Sequence, residues 1–310
     1  MKLPSDVEPW LWPVFGGTVV LLLILDLFLF HRKSHEIKFK EALYWSFFWL
    51  TLASIFNIWF GFRYGSNLGI QFTTGYLVEL SLSVDNLFVM LLIFKSFRIP
   101  SQYKHGVLFW GILGAIIFRG VFILVGIDLL NKFNWILYVF GVILIVSAFK
   151  FLFESEQKED VTDSFVVRAL KKLIPSTSRV DSNKFFVIEG GIRKATPLFF
   201  ALIVIEVTDI IFAVDSIPAV LAVSRDAFVA FASNILALLG LRSLYFVIAD
   251  YVTRFRYLKP GLATILGFVG VKMLLSDLYH IPSWVSLVVI FMVLFTAGLT
   301  SWYSDRKNIL

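Results

Sequence analysis

The sequence predicts an all-α, polytopic membrane bundle, and three observations predict it. The 310 residues are 58% hydrophobic and only 16% charged, against roughly a quarter charged in ordinary soluble chains. The apolar residues gather in stretches near the ~20 residues that a helix needs to cross a bilayer. The basic residues alternate between dense and sparse connecting segments, which is a topological signal. Such a chain has too little polar surface to cover a globule in water. The lipid bilayer is therefore its first partner, and its 34 phenylalanines suit a surface facing lipid.

Nine stretches carry the pattern, at about 11–30, 41–60, 72–94, 106–126, 134–153, 195–223, 227–248, 261–277 and 284–302. The first is long for a secretory leader, lacks a small-residue cleavage site and precedes His31-Arg32-Lys33. It reads as a spanning helix whose N-terminus lies outside. In that orientation the segments 31–40, 95–104, 154–194, 249–260 and 303–310 hold 20 of the 28 Lys and Arg, and the opposite loops hold only Lys2, Arg63, Lys132 and Arg225. The positive-inside rule then places the C-terminus in the cytoplasm and requires an odd number of spans. The net charge of +6 reports topology and not nucleic-acid binding.

One long polar segment, 154–194, interrupts the series on the cytoplasmic side. Asp163-Ser164 is placed to cap a short amphipathic helix running to about Leu173. Phe185 to Arg193, with Gly190-Gly191 at its centre, is set to form a small hairpin. A tethered loop without a separate function is the simplest reading of the segment.

Two of the stretches look alike. Val78-Glu79-Leu-Ser-Leu-Ser-Val-Asp85-Asn86 is echoed by Thr208-Asp209-Ile-Ile-Phe-Ala-Val-Asp215-Ser216. Glu79 pairs with Asp209, Asp85 with Asp215 and Asn86 with Ser216. The following stretches carry Leu113-Gly114 then Arg119, and Leu239-Gly240 then Arg242; the next carry Gly141 then Lys150, and Gly267 then Lys272. The third to fifth and sixth to eighth stretches thus read as two copies of one unit, 72–153 and 195–277. Three spans separate them, so the copies have opposite orientation. That is an inverted-topology repeat, an arrangement that sets a transport site at the repeat interface.

Five acids, Glu79, Asp85, Glu206, Asp209 and Asp215, fall inside these stretches. An ionised side chain at the bilayer centre costs at least ~2.5 kcal/mol on insertion scales. They must therefore face the bundle interior, and each needs a partner. Static pairing with Arg119 and Arg242 is one solution; Lys150 and Lys272 stand nearer helix ends, where they can snorkel. The other solution is a cation. The acids with Asn86, Ser81, Ser83, Thr208 and Ser216 make an oxygen-rich set, as Mg²⁺, Ca²⁺ and Mn²⁺ prefer. The candidate metal residues are Glu79, Asp85, Asn86, Glu206, Asp209, Asp215 and Ser216, supported by Ser83, Thr208, Arg119, Arg242 and Pro218. Glu79, Ser83 and Asn86 share one helical stripe. Glu206 and Asp215 would lie on opposite faces of a regular helix, so either that helix is broken or its acids serve different neighbours. Pro218 favours a break beside Asp215.

The chain has no cysteine, and His31, His35, His105 and His280 read as loop residues. An imidazole or thiolate metal site within the membrane is thereby disfavoured. No phosphate-binding glycine loop, catalytic triad or nucleotide motif stands in the sequence, so neither an enzyme, a resident cofactor nor an ATP-driven pump is expected.

Glu79-Leu-Ser-Leu-Ser-Val-Asp85-Asn86 and Glu206-Val-Thr-Asp209-Ile-Ile-Phe-Ala-Val-Asp215-Ser216-Ile-Pro218 resemble the two signature segments of the TerC family. Trp135-Ile-Leu-Tyr-Val-Phe-Gly141, and Phe185-Phe186 to Ala195-Thr196-Pro197, are similar to its Alx branch. The similarity runs over roughly residues 10–300. The resemblance implies a bacterial inner-membrane protein of the LysE transporter superfamily, manganese export, and a label of tellurium resistance. The residues themselves indicate only a hard divalent cation. Alternating access would carry Mn²⁺ outward through the acids, with protons as a candidate counter-ion. The rival readings are an exporter of Ca²⁺ or of an amino acid, whose carboxylate Arg119 and Arg242 would receive, and a membrane scaffold of a metal- or tellurite-stress complex docking through 154–194.

Overall fold

The computed structural model describes residues 7–30, 39–133, 135–153, 165–180, 183–249, 258–276, 278–279 and 281–307. Their elements, in chain order, are α1 (Leu11–Phe30), α2 (Phe39–Tyr64), α3 (Ser66–Ser96), α4 (Ser101–Lys132), α5 (Ile136–Phe153), α6 (Phe165–Leu173), β1 (Phe186–Glu189), β2 (Ile192–Ala195), α7 (Pro197–Val223), α8 (Ala227–Ala249), α9 (Leu258–Leu274) and α10 (Ser283–Lys307). Six of these helices, α2, α3, α4, α7, α8 and α10, are long and apolar enough to cross a membrane; α1, α5 and α9 are apolar over shorter lengths. With 31 and 32 residues, α3 and α4 reach about 46–48 Å at 1.5 Å per residue. That exceeds a hydrocarbon core of about 30 Å, so they tilt or project beyond it.

Helix ends follow local chemistry. Gly65, at φ 103°, makes the one-residue joint between α2 and α3; a side chain there would be strained. Arg98 at φ 51° closes α3, with the Ile99 N–H donating to the Phe94 carbonyl at 2.9 Å, a Schellman-type ending. Proline opens α7 at Pro197, where its missing N–H is harmless. The sixth stretch therefore starts two residues later than expected, because Ala195 belongs to β2.

The core is built from α3, α4, α7 and α8. α3 packs on α8 and α7, α4 on α7 and α8, and α5 lies along α9. α2 covers α8 and α3, while α10 covers α3 and α9. α8 is almost wholly buried, whereas α2 and α10 turn most of their surface outward. Outward phenylalanines such as Phe47 and Phe62 are what a lipid-facing layer requires. α5 and α9 cross at small residues: a methyl on Gly141 would meet Leu274 Cδ2 at 2.9 Å and the Gly270 carbonyl at 3.1 Å. Close backbone approach of this kind is how helices gain packing in lipid.

The polar segment folds as the sequence suggests. α6 buries Val167 and exposes Arg168, Lys171 and Lys172. β1 and β2 pair antiparallel, with Glu189 opposite Ile192, and Gly190 and Gly191 take φ of 61° and 77°, as a two-residue type I′ turn demands. The capping residues expected at 163–164 lie outside the described residues. At the opposite end of the bundle, Glu8 accepts hydrogen bonds from Tyr64 Oη at 2.5 Å and Arg63 Nη2 at 2.7 Å. The Tyr64 bond first, and the Arg63 charge with it, hold this carboxyl below its ordinary range.

Two expectations are corrected here. α7 runs unbroken through Pro218. Proline inside a membrane helix is tolerated where neighbouring helices enclose the weakened turn, and Pro218 is buried. His105 is not in a loop: it sits in the second turn of α4 and is buried. His31, His35 and His280 lie outside the described residues.

Candidate functional site

The centre of the bundle holds an ion cluster drawn from α3, α4, α7 and α8. Glu79 and Arg119 are fully buried and Asp209 is 5% exposed. The Arg119 guanidinium reaches Asp209 with two prongs, Nη2 to Oδ1 at 2.7 Å and Nε to Oδ2 at 3.1 Å. Its Nη1 donates to Glu79 Oε1. Ser83 Oγ donates to the same oxygen at 3.2 Å, and Asn234 Nδ2 donates to Glu79 Oε2 at 2.7 Å. Asn86 Nδ2 stands 3.5 Å from Asp209 Oδ1. The stripe of Glu79, Ser83 and Asn86 is therefore real, and it faces Asp209 of the partner helix.

The other predicted residues go elsewhere. Glu206, one turn before Asp209, lies against Gly114 of α4; a side chain at Gly114 would collide with its carboxylate. Its Oε2 is buried without a hydrogen-bond partner among the described residues. Asp215 turns to α5, accepting from Ser147 Oγ at 2.5 Å. The alternatives for α7 are thus decided: the helix is continuous and its acids serve different neighbours. Asp85 lies within α3, but its side chain is outside the described residues. Ser216 is buried with an unpartnered hydroxyl. Thr208 and Ser81 do not point their hydroxyls at the cluster as expected; each bonds a carbonyl of its own helix, Val204 at 2.7 Å and Leu77 at 2.6 Å. Arg242 does not neutralise the central acids. It pairs with Asp26 of α1. Lys272 donates to Ser286 of α10 at 2.8 Å.

Among the described residues, no group of three or more His, Cys, Asp or Glu side chains stands close enough to hold a metal ion. The set that converges is two carboxylates, two amides and a hydroxyl around one guanidinium. Asn234, Asp26 and Ser147 were missed by sequence reasoning. Asp26 had a signal, an acid inside the apolar stretch 11–30. Asn234 also had one, an amide in the otherwise apolar run Ile235-Leu-Ala-Leu-Leu239 and its surroundings. Ser147 had none, because a serine in a membrane helix is common.

A family model described as "Integral membrane protein TerC family" matches residues 64–308. The chain is 47% identical over 287 residues to an uncharacterised membrane protein of Myxococcus xanthus, spanning 93% of this chain and 90% of the relative. It is 40% identical over 299 residues to a membrane protein of Rickettsia bellii, with 96% and 98% covered. It is 42% identical over 310 residues to a protein of Escherichia coli K12 whose name proposes a membrane-bound redox modulator, Alx, with 97% of each chain covered. No solved structure matches.

Proposed function

Because this chain belongs to the TerC family of integral membrane proteins, we propose that it is a secondary transporter exporting a hard divalent cation, manganese(II) foremost, from the cytoplasm. One observation carries the reading: Glu79 and Asp209, on helices packed against each other, are buried together with amide and hydroxyl groups at the centre of the bundle. The pair is bridged here by Arg119, and once the guanidinium moves aside its oxygens, with those of the neighbouring amides and hydroxyl, suit Mn²⁺ or Ca²⁺. The protein is on this reading a carrier and not an enzyme, and Mn²⁺ is cargo.

The carrier has nine spans, with α1, α5 and α9 added to the six long helices, in the bacterial inner membrane with the N-terminus outside. α3–α5 (within 72–153) and α7–α9 (within 195–277) are the inverted repeats. Packing supports this reading, since α3 meets α8 as α4 meets α7. The contact of Gly141 with Leu274 also recurs as Gly267 with Ala148, with the two helices exchanged. The name of the E. coli relative points to redox. This chain has no cysteine for thiol exchange, so we infer that any redox effect is indirect, through the level of a redox-active metal.

Radioactive Mn²⁺ flux in proteoliposomes tests the proposal. The wild type carries Mn²⁺, while the folded fraction of Glu79→Gln and of Asp209→Asn, each destabilised by the weakened pairing of Arg119, loses flux by about a hundredfold or more. A wild type inert to Mn²⁺ and Ca²⁺ would return the scaffold reading to the front. Competition by an amino acid would favour the amino-acid exporter.

A further inference from the structure

We propose that Arg119 is a tethered counter-cation: in the empty carrier its guanidinium holds the place of the transported ion between Glu79 and Asp209, so that the empty carrier reorients without protons. The inference rests on the transport reading above. Every oxygen of both carboxylates is taken. Glu79 Oε1 accepts from Arg119 and Ser83, and Oε2 from Asn234. Asp209 Oδ1 accepts from Arg119 and faces Asn86, and Oδ2 accepts from Arg119. A divalent cation needs these same lone pairs. Cation and guanidinium carry like charge and compete for the same four oxygens, each of which already accepts a hydrogen bond here.

The Asn234 amide is the second observation. It is fully buried. Its Nδ2 is bonded to Glu79, yet its Oδ1 has no hydrogen-bond partner among the described residues. A permanent guanidinium site has no use for an orphaned oxygen beside a carboxylate. A cation that takes oxygen ligands does. Asn234 thus completes the site when Arg119 leaves: the amide turns its oxygen to the metal as its nitrogen gives up Glu79.

The consequence is a charge argument. Two bare carboxylates cross a low-dielectric core unfavourably, and without Arg119 protons would have to neutralise them. With the guanidinium between them, one charge is cancelled and every acceptor is satisfied. The empty form then reorients with a net charge of −1 in place of −2, and the loaded form, whose guanidinium stays in the carrier beside the Mn²⁺, with a net charge of +1. Net flux then needs no exchange with protons.

The test uses the full chain in proteoliposomes loaded with radioactive Mn²⁺, in two modes: net efflux into metal-free buffer, which needs an empty return step, and Mn²⁺–Mn²⁺ exchange, which does not. The wild type performs both and is indifferent to an imposed pH gradient. Arg119→Gln lowers net efflux by about tenfold or more relative to its own exchange rate, the scale set by moving an uncompensated charge through the membrane. Arg119→Lys retains the charge and the net efflux. If Arg119→Gln lowers both modes by the same factor, or neither, the proposal is overturned; so is it if wild-type net efflux requires the pH gradient. Should Arg119→Gln fail to fold, equilibrium Mn²⁺ binding decides. Arg119→Lys, holding the acids by a point charge and not a two-pronged fork, binds Mn²⁺ about tenfold tighter than wild type, and unchanged affinity overturns the idea. A wild type without flux in either mode removes the transport reading itself, and this inference with it.

Discussion

Asp26 and Arg242 form a further buried ion pair, apart from the Arg119 cluster, with Asp26 8% and Arg242 5% exposed. Sequence comparison set Arg242 beside Arg119 as repeat counterparts. The structure gives them different tasks, since Arg242 neutralises an acid of α1. Removing one partner of such a pair leaves a bare charge, at a cost of about 3–5 kcal/mol. Asp26→Asn and Arg242→Gln should therefore each lower the unfolding temperature in detergent, and the exchanged pair Asp26→Arg with Arg242→Asp should recover part of the loss. No recovery in the exchanged pair would show that packing, not pairing, sets the effect. What was legible at this scale was intrahelical. Glu79, Ser83 and Asn86 share a face because the helix repeats every 3.6 residues. What was illegible was interhelical: that Asn234 meets Glu79, or Ser147 meets Asp215, depends on how whole helices dock. Thr208 and Ser81 misled for a physical reason, because a hydroxyl in lipid readily bonds the carbonyl one turn back.

The α5–α9 crossing shows the same division between elements. Both helices were visible as apolar runs, and their glycines were visible, but not that the glycines meet. A Cβ on Gly267 would stand 3.8 Å from Ala148 Cβ, inside the ~3.5–4.5 Å range of disulfides. The natural chain has no cysteine, so Ala148→Cys with Gly267→Cys should be the only thiol pair and should cross-link on mild oxidation. A reducible shift in a protein cut within 154–194 would report it, and failure to cross-link would refute the docking of α5 on α9. The hairpin was the most legible element, because Gly190-Gly191 between two short runs dictates an I′ turn locally. α7 was the least. Pro218 locally argues for a break, and only the enclosing helices hold the turn together.

At the scale of the whole molecule, the alternation of basic segments predicts which ends share a side. Asn183, just before the hairpin, lies against Gly106 near the start of α4, and Glu8 meets the α2–α3 joint. If the basic segments are cytoplasmic, Ile188→Cys, at a site 80% exposed, should react with an impermeant thiol reagent only in inverted vesicles. Arg225→Cys, exposed between α7 and α8, should react only in intact spheroplasts. The reverse pattern would invert the topology and the direction of export. The family match begins at residue 64, so α1, which supplies Asp26, lies outside it. During synthesis α1 leaves the ribosome long before α8. Asp26 is therefore translated before Arg242, the cation it pairs with, exists. Only when α8 inserts does Arg242 arrive to claim its charge. The pair therefore closes late: the first helix is tied down by a residue of α8, the last of the four core helices to be made.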